Sequence, residues 1–98
     1  MTEGPAGRLA GRVAIVTGGG RGLGRAMTLA LAEAGASVIA TASRELAEIE
    51  AVAATAGETR ILPLLADVTR PNDCARVVQT AVERFGRLDL LVRMPDAA

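Results

Sequence analysis

The sequence predicts an α/β fold in three layers: a parallel sheet with helices on both faces. Three observations predict it. Short apolar, partly β-branched runs alternate with segments of helical period, in the order β-α-β-α-β-α-β. The connections are short, and such alternation gives parallel strands joined by right-handed helical crossovers. The core is rich in alanine and holds one Phe, no Trp and no Tyr, and small side chains suit closely packed helix–sheet layers.

The elements follow in order. Residues 1–11 carry Gly4, Pro5, Gly7 and Gly11 and form a loose lead-in. The first eight residues are a leader, a single domain is expected over 9–92, and 93–98 form a tail that departs from the pattern. Arg12 to Thr17 is an apolar run ended by glycine, as expected of a strand buried on both faces. From Leu23 the spacing turns helical, with Leu23, Met27, Ala30, Leu31 and Ala34 on one face and Gly35 as the stop. Ser37–Thr41 is the second strand. Ser43 or Arg44 opens a second helix with Leu46, Ile49, Val52 and Ala53 on one face, ending near Gly57.

Arg60–Ala66 is the third strand, and its Pro63, lacking an N–H, predicts an edge position or a strand end. Thr69 is the expected N-cap of a third helix with Pro71 and Asp73 in its first turn. Cys74, Val77, Val78, Ala81, Val82 and Phe85 form its core-facing stripe, Gly86 ends it, and Leu88–Val92 is the fourth strand.

Composition narrows the function. The formal net charge is +0, all 11 basic residues are arginine, and no basic cluster stands out, which argues against a nucleic-acid surface. Cys74 is the sole cysteine and there is no histidine, so neither an internal disulfide nor a cysteine-cluster metal site is expected. No run approaches the roughly 18 apolar residues of a membrane span, and no apolar signal segment opens the chain, so a cytoplasmic setting is expected.

The chemistry concentrates in Val16–Arg25, which holds Gly18, Gly19, Gly20, Gly22 and Gly24, five of the chain's 11 glycines. Strand, glycine turn and helix together hold a phosphate: the turn aims backbone amides at the anion and the helix N-terminus adds partial positive charge. The dinucleotide spacing G-x-G-x-x-G fails, because Leu23 stands where its last glycine belongs. The P-loop spacing is nearly met by Gly19 and Gly24, but Arg25 and Ala26 replace the Lys and Ser/Thr that its chemistry needs.

A third spacing fits throughout. Thr17-Gly18-x-x-x-Gly22-x-Gly24 resembles the T-G-x-x-x-G-x-G signature of the short-chain dehydrogenase/reductase family. Leu9–Val16, Ala66-Asp67-Val68-Thr69 and Phe85–Val92 resemble three further stations of that family, in the right order. The resemblance implies a Rossmann-like sheet of order 3-2-1-4 and a nicotinamide dinucleotide held by Gly18, Gly19, Gly20, Arg21, Gly22, Leu23 and Gly24, with Asp67 and Val68 beside the adenine. It also implies a small carbonyl or alcohol substrate, NAD(P)-dependent ketone–alcohol interconversion and homo-oligomers of the full-length relatives. Residues 35–42 are loosely similar to 3-oxoacyl-carrier-protein reductases.

Cofactor choice turns on the end of the second strand. A carboxylate there would accept the ribose 2′-OH of NAD, but the position is Ala42, followed by Ser43 and Arg44. In relatives preferring NADP, a basic residue in the glycine turn and a hydroxyl after the second strand hold the 2′-phosphate. Arg21 and Ser43 match them, with Arg44 as a further donor, so NADP(H) is expected over NAD(H).

The family's catalytic Y-x-x-x-K is missing: the chain has no Tyr and no Lys, and no catalytic residue is assigned. After Val92 the family pattern asks for N-N-A-G, whereas the chain reads Arg93-Met94-Pro95-Asp96-Ala97-Ala98. Restoring one nucleotide before the Met94 codon allows a reading Asn-Ala-Gly-Arg-Gly, so a frameshift that truncated a reductase is expected, with marginal stability as its result. The alternative is a non-catalytic dinucleotide-binding fragment or pseudogene product.

Overall fold

Every residue of the run at 13–17 is buried, as a strand covered on both faces must be. A computed structural model describes residues 8–19, 22–55 and 61–93. The elements are β1 (Val13–Thr17), α1 (Gly22–Glu33), β2 (Ser37–Ala42), α2 (Leu46–Thr55), β3 (Ile61–Leu65), α3 (Pro71–Phe85) and β4 (Leu90–Arg93). The four strands make one sheet of order β3-β2-β1-β4, with all pairs parallel. This is the expected Rossmann-like arrangement.

Alternation along β1 divides the core. Ala14 and Val16 face a cluster with Val38, Ala40, Ile49, Val52 and Ile61, against which Leu29, Leu31 and Ala32 of α1 also pack. Val13 and Ile15 face Ile39, Val77 and Ala81 on the other side, flanked by Phe85 and Leu88. So α1 and α2 cover one face and α3 the other. The apolar pattern of α2 lies as expected, with Ile49 and Val52 fully enclosed; each such side chain contributes roughly 1.5–3 kcal/mol by burial.

The ends of the sheet also agree with the sequence. β3 pairs only with β2, so Pro63 sits on an edge strand, where its missing N–H is tolerated. At the end of α1 the Ala36 amide donates to the Leu31 carbonyl at 3.0 Å and the Gly35 amide to Ala32 at 3.0 Å, the paired bonds of a Schellman cap. At the same, N-terminal end of the strands Asp89 accepts the Val13 amide at 2.9 Å and pairs with Arg87 at 2.7 Å and Arg12 at 3.5 Å. Among the described residues, no helix is long and apolar enough to cross a membrane.

Several expectations need correction. In α1, Gly24 and Thr28 are buried and Leu23 is 67% exposed. Close approach to the sheet admits only small side chains on the facing stripe and turns the leucines to its flanks. In α3, Val77 and Ala81 are buried while Val78 and Val82 are 41% and 51% exposed, because the helix rests on the sheet along a strip narrower than its apolar face. α2 starts at Leu46, which leaves Ser43 and Arg44 in the preceding loop. The expected end of α2 near Gly57 falls outside the described residues. Arg70, not Thr69, is the N-cap of α3, without a side-chain cap bond. β4 begins two residues later than expected and includes Arg93, paired with Thr17.

Candidate functional site: the C-terminal edge of the sheet

The chain runs β1 to β2 to β3 in one direction and then crosses back to place β4 on the other side of β1. A crevice opens at the carboxyl ends of the strands where such an order reverses. Here the order reverses between β1 and β4, where Thr17 and Arg93 are adjacent in register.

The turn leaves β1 through Gly18, whose φ of 69° suits glycine, and α1 opens on Gly22 with φ 61°. The Gly18 and Gly19 amides both donate to the Thr41 carbonyl, at 2.9 and 3.1 Å, so β2 holds the start of the turn in place. These two amides are thereby committed to shaping the turn. The helix amides that follow, from Gly22, Leu23 and Gly24, have no intrahelical acceptor by the geometry of a helix start. No acid stands in that first turn to compete with an anion. Gly20 and Arg21 lie outside the described residues.

Gly19 is buried, and a methyl group built on it would lie 2.8 Å from Thr28 Oγ1 and 2.9 Å from the Ala40 Cβ. The Thr28 hydroxyl in turn donates to the Gly24 carbonyl at 2.9 Å. Sequence reasoning overlooked Thr28. The available signal was a hydroxyl residue four positions after Gly24, the one polar side chain between Arg25 and Glu33.

The second half of the edge carries charge. Ser43, Arg44 and Glu45 are exposed between β2 and α2. Asp67, two residues past β3, accepts the Thr69 amide at 3.0 Å and the Thr69 hydroxyl at 2.6 Å. Arg70 stands 3.7 Å from its other oxygen. The Thr69 hydrogen bonds hold the Asp67 carboxyl below the ordinary range, with the charges of Arg70 and Arg44 acting in the same sense. Arg44 and Asp67, expected at the adenosine end, therefore share one electrostatic neighbourhood.

The Asp67 amide donates to Asp73 at 2.8 Å, and the half-buried Val68 offers its carbonyl to Cys74 Sγ at 2.9 Å. Thr69, expected as a helix cap, thus orients Asp67 instead. Asp73, in the first turn of α3, fixes the same loop from the other side. The two clusters, glycine turn and acid-bearing loop, stand at the carboxyl ends of β1 and β3, with β2 between them.

Known proteins share this arrangement. Versicolorin reductase 1 of Dothistroma septosporum is 42% identical over 86 residues, which are 86% of this chain and 33% of that protein. An uncharacterized oxidoreductase of Mycobacterium tuberculosis is 46% identical over 87 residues, 87% of this chain and 33% of its own length. The chain thus spans about a third of the curated relatives it matches. Among solved structures, a short-chain dehydrogenase/reductase from Serratia marcescens superposes with a TM-score of 0.85 at 36% identity, covering 92% of this chain and 38% of that one. The short chain dehydrogenase family matches residues 12–94, from the threshold of β1 past the end of β4, and the chain belongs to that family.

Proposed function

We propose that this chain binds a nicotinamide dinucleotide along the C-terminal edge of its sheet, NADP(H) in preference to NAD(H), in the service of ketone–alcohol interconversion. The observation that carries the reading is the glycine turn between β1 and α1. It is buried at Gly19, tied to Thr41, and followed by a helix start that bears no acid. In this reading the first-turn amides of Gly22, Leu23 and Gly24 hold the pyrophosphate, Gly18, Gly19 and Gly20 shape the turn, and Asp67 and Val68 border the adenine. The cofactor would supply a hydride to a carbonyl carbon, or accept one from an alcohol.

Preference for the 2′-phosphate is supported by the end of β2. Ala42 brings no carboxylate to repel it, and the exposed Ser43 and Arg44, with Arg21, offer donors. Hydrogen bonds to charged groups contribute roughly 1.5–3 kcal/mol each, so two suffice to set the selectivity. Titrating the purified chain with NADPH and NADH tests this: NADPH should bind more tightly, and the reverse order would reject the assignment.

The reductase names among the relatives suit a carbonyl substrate, and a 3-oxoacyl thioester is one such class. A cytoplasmic setting and homo-oligomeric assembly of the full-length form belong to the same proposal. A second reading rests on composition: these 98 residues contain no Tyr and no Lys, so the family's proton donor and its partner have no counterpart here. By that reading the chain is a dinucleotide-binding fragment without turnover, as a frameshifted product would be. NADPH oxidation by the purified chain with a panel of ketones separates the two.

A further inference from the structure

Thr28 is fully enclosed, one of three buried polar residues in the described structure together with Thr17 and Thr41. Its position is a costly one for threonine. A β-branched residue in mid-helix restricts its own rotamers, and back-bonding to the preceding turn tends to bend the helix. The same helix uses alanine at 26, 30 and 32, so a small apolar residue would fill the site without either penalty.

The hydroxyl reaches both sides of the glycine turn. It donates to the Gly24 carbonyl at 2.9 Å, in the first turn of α1. The same oxygen closes the space beside Gly19, where an added methyl group would lie 2.8 Å away. One atom therefore bridges the start of the turn and the helix that follows it.

We propose that Thr28 is a positioning residue for the pyrophosphate site: it fixes the tilt of the first turn of α1 against Gly19, and so the direction of the Gly22, Leu23 and Gly24 amides. The inference rests on the reading of the turn as a dinucleotide site. Thr28→Val keeps the shape but replaces the hydroxyl by a methyl group, which cannot bond Gly24 and needs more room against Gly19. Thr28→Ser keeps the hydroxyl.

The test has two arms. In the cofactor-free chain, amide NMR shifts of Gly19, Gly22, Leu23 and Gly24 should move in Thr28→Val and stay close to wild type in Thr28→Ser. In binding, NADPH is compared with adenosine 2′-monophosphate, which lacks the pyrophosphate. Thr28→Val should weaken NADPH about tenfold, a loss on the scale of one charge-assisted contact, and leave the monophosphate unchanged. Thr28→Ser should match wild type for both. Unchanged NADPH affinity in Thr28→Val, or an equal loss on both ligands, overturns the proposal while the cofactor reading stands. A wild-type chain that binds neither ligand overturns the cofactor reading and this proposal with it, and the amide shifts then report only how Thr28 holds the turn.

Discussion

Asp89 accepts the backbone amide of Val13 at 2.9 Å, which ties the residue before β4 to the first residue of β1. Arg87 binds the same carboxylate at 2.7 Å and Arg12 approaches it at 3.5 Å. The Arg87 hydrogen bonds, then the Val13 amide, hold its pKa below the ordinary 3.8. A depressed folded pKa stabilises the fold fully above the unfolded value, and this stabilisation is lost as pH falls through the folded value. Asp67 is depressed in the same direction and adds to the slope. Thermal melts across acid pH should therefore show stability falling below pH 3.8, with a shallower fall in Asp89→Asn, which is also less stable at neutral pH. An unchanged slope in the variant would show that Asp89 is not held this way.

Gly19→Ala should destabilise the chain by about 1–3 kcal/mol, the usual range for overpacking a close-packed site. The obstacles are the hydrogen-bonded Thr28 hydroxyl and the Cβ of Ala40 in the middle of β2, and neither can swing aside. Denaturant unfolding measures it. In Gly19→Ala/Thr28→Ala one obstacle is gone, so the double variant should lose less than the sum of the single losses.

Arg44→Ala should weaken NADPH by about tenfold and leave NADH within about twofold, since only the 2′-phosphate would use the guanidinium. Ala42→Asp should go further, because a carboxylate at the end of β2 repels the phosphate and accepts the free 2′-hydroxyl. Parallel fluorescence titrations check both variants. A preference that survives Ala42→Asp would place the 2′-phosphate elsewhere.

Neighbouring valines on α3 should behave differently. Val77 is buried and Val78 is 41% exposed. Val77→Ala is expected to cost roughly 1–3 kcal/mol and Val78→Ala no more than about 0.5 kcal/mol. Comparable losses for the two would mean that the exposed side of α3 is covered in solution.

Alternating periods made the element order readable, and the single side pairing of β3 was foreshadowed by Pro63. The sheet order came from the family resemblance, not from periodicity. What stayed hidden depended on neighbours absent from any local window. An apolar count treats Val77 and Val78 alike, and only the strip of sheet beneath α3 separates them. Leu23 looked like the first residue of a buried face, yet the close approach of α1 selects Gly24 and Thr28 for it. Thr69 has the chemistry of a cap, but Asp67 lies nearer and takes both its donors. At the candidate site the glycine spacing was legible, whereas the engagement of the Gly18 and Gly19 amides by Thr41 required the fold.

That shared Thr41 acceptor bears on portability. Residues 13–33 resemble a self-contained cassette, but two of their amides find their partner on β2. Grafted into another scaffold without a carbonyl at the same place, the cassette would carry two stranded donors and a collapsing bend. Any transplant of this glycine turn has to bring its neighbouring strand along.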